Sequence, residues 1–238
     1  KTVSHLYGLA LKLNRRVIFL NREDTDLFLA GNLVIPEQVA RIDGIGLDLD
    51  HFSPARPVVS PVTFILVARM IKEKGVYDYV EAARKVREHC PQAQFILVGG
   101  TDPNPSSVKE SELREWVREG LIEWAQAVND VRPSLARASV FVLPSYYREG
   151  LPRSSQEAMA MGRPVITTDW VGCRDTVEHG LNGFLVPVRD PDELTKAMMR
   201  FISEPELIES MGKEGRKIAQ ERFDVHSINR QILEIMSV

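Results

Sequence analysis

The sequence predicts an α/β protein organised around a Rossmann-like, doubly wound parallel sheet. Three observations carry that prediction. Short aliphatic and β-branched runs recur along the chain, each followed by a stretch of helical amphipathicity. The runs are apolar on both faces, the pattern of a parallel strand covered by helices above and below. The composition, 44% hydrophobic and 26% charged, is that of a chain that buries a core.

In chain order, a helix over 3–13, a strand RVIFL (16–20), a helix over 24–31 and an extended ARIDGIGLD (40–48) form a first unit. It is too small to hold a core alone, so residues 1–50 are expected to be the remnant of a larger N-terminal α/β domain. HFSPARPVVSP (51–61), with Pro54, Pro57 and Pro61, is expected to be a linker. The principal domain is expected over 62–222. Its strands are VTFILVA (62–68), AQFILVG (93–99), ASVFVLP (138–144), PVITT (164–168) and GFLVP (183–187). Its helices are expected at 76–89, 106–119, 154–162, 191–203 and 205–222. Residues 223–238 hold a last helix (226–237), expected to return to the N-terminal domain. The chain starts at Lys1 rather than Met and is expected to be a fragment or a processed chain.

Several function classes are excluded early. A net charge of −3 without a basic block argues against a nucleic-acid partner. Cys90 and Cys173 cannot build a disulfide framework or a zinc site and fit a reducing, cytoplasmic location. The five histidines are scattered, and the longest apolar runs are strand-length. No G-x-G-x-x-G follows a strand, which disfavours a dinucleotide oxidoreductase.

In an open parallel sheet, ligands sit beyond the carboxyl ends of the strands, which directs attention to three loops. In ARMIKEKGVYDY (68–79), Arg69 ends a strand and Lys74 precedes Gly75 at a helix start. A guanidinium and an ammonium at a helix N-terminus make a diphosphate clamp, or two solvated cations. In YYREGLPRSSQE (146–157), Glu149 and Glu157 are separated by seven residues. Glu157 has two readings: a carboxylate accepting a pair of ribose hydroxyls, or the far end of a Ser154-to-Glu157 capping box. Glu149 likewise is either a ligand group or an exposed loop acid. In DWVGCRDTVEHG (169–180), Gly172 either lets the backbone approach a ligand or is a plain turn glycine.

These motifs, in this order and spacing, resemble the C-terminal, donor-binding half of a GT-B fold glycosyltransferase. The similar group is the retaining family 4, or group 1, which includes enzymes of bacterial surface-polysaccharide and lipid-linked oligosaccharide synthesis. The resemblance covers nearly all of 40–238. IGLDLDHFSP (45–54) is similar to the interdomain signature, LVARMIKEKGVYDYVEAA (66–83) to the phosphate loop, and Glu149 with Glu157 to the E-x7-E motif. GRPVITTDWVGCRDTVEHGLNGFLVP (162–187) continues the pattern.

The resemblance implies that Arg69 and Lys74 hold a nucleotide diphosphate and stabilise its charge as it leaves, that Glu149 contacts the donor sugar, and that Glu157 binds ribose. Backbone N–H groups of Gly150 and Leu151 would bind sugar or phosphate oxygens. It implies a hexose-type sugar, a nucleotide-sugar donor with UDP as the expected nucleotide, no metal or other cofactor, and a saccharide or polyprenyl-diphosphate-linked acceptor. Gln126 departs from the usual glycine of the stretch expected near the base. Two D-x-D tripeptides, at Asp24–Asp26 and Asp48–Asp50, are expected to be non-ligands. The acceptor would dock on the N-terminal domain, through which peripheral contact with the inner membrane face is expected. This polypeptide alone would bind donor and transfer little sugar. A same-fold epimerase or phosphorylase, and a catalytically silent sugar-nucleotide-binding module, are the alternatives. Met159, Met161, Trp116 and Trp124 are expected to be packing residues.

Overall fold

The computed structural model describes residues 2–237, with side chains from Leu6 to Ser237. Helix α1 (Thr2–Leu11), strand β1 (Val17–Phe19), helix α2 (Arg22–Ala30) and strand β2 (Val39–Arg41) form the N-terminal unit, in which β1 and β2 pair in parallel. The extended stretch expected over 40–48 is shorter than that. Beyond Arg41 the chain turns through Gly44 and Gly46, both at positive φ.

The main body runs β3 (Thr63–Val67), α3 (Val76–His89), β4 (Gln94–Val98), α4 (Glu110–Arg118), β5 (Glu123–Ala125), α5 (Arg132–Ala136), β6 (Val140–Leu143), α6 (Arg153–Ala160), β7 (Val165–Thr168), β8 (Gly183–Val186), α7 (Pro191–Ser203), α8 (Glu206–Arg222) and α9 (Val225–Met236). Its six strands are all parallel, in the order β5-β4-β3-β6-β7-β8. After β5 the chain returns to the other side of β3, so the order reverses between β3 and β6. That reversal opens a crevice at the carboxyl ends of these two strands.

The double-faced apolarity of the strands has a direct structural counterpart. Phe64 and Leu66 of β3 join the core under α3, α4 and α7, whereas Ile65 and Val67 join the core under α6 and α8. Successive side chains of a strand alternate faces, so each face needs its own helical layer. Trp116, Met159 and Met161 are buried packing residues as expected, and Trp124 packs at the edge with its indole donating to the Gly99 carbonyl at 3.0 Å.

Three expectations are corrected. The helix expected at 106–119 begins only at Glu110, because Ser106–Val108 is held as a turn and a bridge: the Ser106 amide bonds the Asn104 side chain, and the Val108 amide bonds the Met70 carbonyl. The short edge strand β5 and the single-turn helix α5 lie where the sequence reading names no element. Helix α6 starts at Arg153, capped by Pro152 with no side-chain cap bond. The capping box at Ser154–Glu157 therefore does not form.

The N-terminal unit meets the main body through polar bonds. Leu47 exchanges backbone hydrogen bonds with Phe223 and Val225, tying the segment after β2 to the start of α9. Arg148 donates to Asp24 at 2.6 and 2.9 Å, and Arg174 donates to Glu23 at 2.9 Å. Among the described residues no helix is long and apolar enough to cross a membrane.

Candidate active site

The loop after β3 and the loop after β6 meet at the sheet reversal. Gly75, at φ 75°, ends the 3-10 turn Lys72–Lys74 and opens α3. A Cβ at this position would collide with the Pro144 carbonyl, so only glycine lets the turn lie against the end of β6. The Glu73 carbonyl then accepts three hydrogen bonds: from the Tyr146 amide (2.8 Å), the Tyr147 amide (3.0 Å) and the Ser145 hydroxyl (3.1 Å). This clamp fixes the distance between two segments more than seventy residues apart in sequence.

Lys74 and Glu149 are the result. Their side chains form an ion pair while only 14% and 12% exposed. The Ser145 hydroxyl, its single proton shared with the Glu73 carbonyl, lies 3.2 Å from the same carboxylate, and the Lys74 ammonium lies 5.2 Å from the centre of the Tyr147 ring. Arg69 stands beside them, bound to Asp102 at 2.8 Å and with Tyr147 among its charged and polar neighbours. Its side chain is 54% exposed. Asp102 holds Arg69 more firmly protonated, while the Asn104 amide first and Arg69 second keep the Asp102 carboxyl below its usual range. The sequence-predicted residues 69, 74 and 149 thus converge on one place.

Glu157 stands one turn into α6, its side chain 13% exposed, accepting a 3.0 Å bond from the Arg153 Nε. Burial pushes its carboxyl upward, with Arg153 and His51 opposing. It lies at the same carboxyl edge of the sheet and forms no hydrogen bond or ion pair with the other three. Gly150 and Leu151 link the two glutamates. Their amides donate to no other group among the described residues, while the Gly150 carbonyl accepts from Asn21 at 3.1 Å and the Leu151 side chain is buried. Free amides here are what an anionic ligand at a loop–helix junction needs.

Gly172 answers its open question differently from either alternative. At φ 76°, a Cβ there would collide with the Glu149 carbonyl. The glycine therefore lets one loop backbone lie on another, behind Glu149. Next to it, burial and then the charge of Glu149 push the Cys173 thiol up to about 11, so it is a protonated packing group. Arg148 is likewise a brace to Asp24. The first acid of each D-x-D tripeptide is engaged within the protein: Asp48 accepts from the Asp50 and His51 amides, and Asp24 from the Asn21 and Arg148 side chains. Among the described residues no group of three metal-donor side chains converges.

Sequence reasoning missed Asp102, Ser145 and Tyr147. Nothing in their spacing marks them, because each acquires its place only when the two loops meet. A cavity of about 640 Å³ lies elsewhere, between Pro54–Val59 and helix α8. Arg216 at its wall is already bonded to the carbonyls of Phe52 and Ala160, at 3.0 and 2.9 Å.

A doubly wound sheet with cations and carboxylates converging at its reversal point defines a Rossmann-like ligand-binding domain of the GT-B kind. Residues 61–204 match the family described as Glycosyl transferases group 1, and the chain belongs to that family. It is 25% identical to the N,N'-diacetylbacillosaminyl-diphospho-undecaprenol alpha-1,3-N-acetylgalactosaminyltransferase of Campylobacter jejuni, over 98% of this chain and 63% of the relative. It is 27% identical to the UDP-Gal:alpha-D-GlcNAc-diphosphoundecaprenol alpha-1,3-galactosyltransferase of Escherichia coli, over 91% of this chain and 58% of that one. Among solved structures, Anabaena HepE in complex with UDP-glucose superposes with a TM-score of 0.84 and 25% identity, over 99% of this chain and 67% of HepE. The chain spans roughly two-fifths to two-thirds of the length of the curated relatives it matches.

Proposed function

We propose that this chain supplies the donor-binding half of a retaining glycosyltransferase. The enzyme would move a hexose-type sugar from UDP to a saccharide or polyprenyl-diphosphate-linked acceptor. The observation that carries the reading is the part-buried Lys74–Glu149 pair beside Arg69, at the reversal of a parallel sheet in a group 1 chain. The UDP-glucose complex of HepE and the UDP-Gal in the name of the Escherichia coli relative support a UDP donor. The diphospho-undecaprenol in two relatives' names supports the acceptor class.

In this reading the donor diphosphate replaces Glu149 as the partner of Lys74, and the released carboxylate turns to the sugar hydroxyls. Arg69 takes the second phosphate, and Glu157 accepts the ribose hydroxyls. As the bond from the anomeric carbon to the phosphate oxygen breaks, its electron pair stays on the diphosphate. Lys74 and Arg69 stabilise that growing charge more than they stabilise the ground state, which is the requirement for catalysis. Two fixed cations supply what a metal would otherwise bring, so the proposed reaction is metal-independent. The acceptor attacks the same face, and the leaving phosphate takes its proton. The expected setting is the cytoplasm, at the membrane that carries the acceptor.

The test is calorimetric titration of the chain with UDP-glucose, alongside Lys74→Ala. Heat with the native chain and its loss in the variant supports the reading. No heat with UDP, UDP-glucose or UDP-galactose would overturn it.

A further inference from the structure

Beside the site lies a side chain that the proposed reaction does not use. Arg189 follows β8 and precedes the Asp190 cap of α7. Its φ is 56°, in the left-handed region that disfavours every residue with a Cβ. A non-glycine residue kept in such a conformation signals a compensating role. The Arg189 guanidinium lies 4.3 Å from the centre of the Tyr146 ring, a stacking distance.

Two carboxylates complete this corner. Glu73 Oε2 and Asp78 Oδ2 are both buried without a hydrogen-bond partner. The Ser106 hydroxyl and then the Glu73 amide do most to hold the Glu73 carboxyl down, with Lys72 and Arg189 as more distant cations; Arg189 is the cation near Asp78, and Asp190 the neighbouring acid. Burial raises the Asp78 carboxyl, and Arg189 is the cation that opposes the rise. Glu73 is the residue whose carbonyl receives the Tyr146 and Tyr147 amides and the Ser145 hydroxyl. Arg189 therefore reaches the clamp through the Tyr146 ring, whose amide is bonded to the Glu73 carbonyl.

We propose that Arg189 is a positioning residue for the Ser145–Glu149 loop: stacked on Tyr146 from a strained turn, it holds Glu149 where the donor sugar binds. The inference rests on the glycosyltransferase reading for its ligand, not for its geometry. The nucleotide diphosphate is held by Arg69 and Lys74 on the other loop, so loosening Tyr146 affects recognition of the sugar more than that of UDP.

The test compares Arg189→Ala, Arg189→Gly and Arg189→Lys with the native chain. Calorimetry uses UDP and UDP-glucose; amide hydrogen exchange is followed at 145–149 without ligand. Arg189→Ala is expected to weaken UDP-glucose by about fivefold, from the lost cation–π contact, with UDP within twofold. Exchange at Tyr146 and Tyr147 should accelerate. Arg189→Gly relieves the backbone strain, so it should hold or raise the melting temperature and still weaken UDP-glucose. Arg189→Lys should restore part of the affinity. Unchanged exchange at 145–149 in both Ala and Gly variants overturns the proposal, as does an equal loss for UDP and UDP-glucose. If the native chain binds neither ligand, the glycosyltransferase reading fails by itself. The exchange result then decides alone whether Arg189 holds the loop.

Discussion

Two regions of this molecule bury cations, and they satisfy them differently. Arg163 is fully buried and donates only to backbone carbonyls: Leu135 and Ala55 at 2.8 Å, Met161 at 3.2 Å and Ala136 at 3.3 Å. Arg216 behaves alike, bonding the carbonyls of Leu49, Phe52 and Ala160. Lys74, across the sheet edge, has a carboxylate instead. A carbonyl is part of the backbone and cannot be exchanged without unfolding something. A carboxylate on a loop can yield its cation to a phosphate of the same sign. The partner's chemistry, more than the depth of burial, separates a staple from a site.

The largest effect tests the staple. Arg163→Met keeps an apolar stem but takes a donor from four carbonyls; those of Leu135 and Met161 keep the Ala138 and Ala55 amides, while those of Ala55 and Ala136 lose theirs. Urea unfolding should show a loss of about 4 kcal/mol, since each abandoned buried acceptor carries its own desolvation cost. UDP-glucose affinity of the folded protein should stay within about twofold, because the residue is remote from Lys74. Burial lowers the Arg163 guanidinium only to about 10, so it stays charged at neutral pH and no ordinary buffer change mimics the variant.

Lys74→Ala should do the reverse. Affinity for UDP-glucose should fall by about 3 kcal/mol, or about 150-fold in calorimetry, the scale of truncating one partner of a buried charge pair. Stability also falls, because Glu149 is left unpaired. Lys74→Met with Glu149→Met separates the two consequences. Replacing both charges should bring unfolding free energy back to within about 1 kcal/mol of native, with no recovery of binding. A double variant that regains binding would make the pair a staple after all.

The sequence carried the parts of this contrast that depend on local pattern. Strands β3, β4, β6, β7 and β8 were legible because each is apolar on both faces. Lys74 and Glu149 were legible through motif spacing. Strand β5 was not: it has three residues, lies at the sheet edge, and carries an exposed Glu123. The roles of Arg163 and Arg216 were equally hidden, since carbonyl partners leave no mark in side-chain sequence. Asp102 and Tyr147 join the site only through the clamp at Glu73. The capping reading of Glu157 failed because Pro152, rather than Ser154, precedes the first turn of α6.

Glu157 lies between the two kinds. Its partner Arg153 is on its own helix, 55% exposed, and offers little. Glu157→Ala should weaken UDP binding by about 1.5–3 kcal/mol, a lost charge-assisted hydrogen-bond set, with little change in melting temperature. Its pH dependence has a definite sign. Burial raises the folded-state carboxyl above its ordinary 4.5, so the native state binds the extra proton between that value and the raised one. Stability contributed by this group therefore grows as pH falls through the window, while UDP affinity drops as the carboxylate is lost. Glu157→Gln should flatten both slopes. Parallel slopes would mean that ribose does not use this carboxylate.

The smallest effect has the opposite direction. Asp102 accepts the Asn104 amide at 2.9 Å as well as Arg69, so Asp102→Asn keeps the turn and removes only the charge. The Arg69 side chain is 54% exposed, and exposed pairs contribute at most about 1 kcal/mol, so melting should hardly move. With its competitor neutralised, Arg69 becomes more available to the diphosphate. UDP affinity should rise about two- to threefold at low ionic strength, and the gain should fade in high salt as the charges are screened. A gain at Asp102 beside a loss at Lys74 is what exchangeable carboxylates require: each acid occupies its cation until the diphosphate arrives. If Asp102→Asn instead weakens UDP, the acid orients the guanidinium for its ligand. The distinction between staple and site would then rest on Lys74 and Glu149 alone.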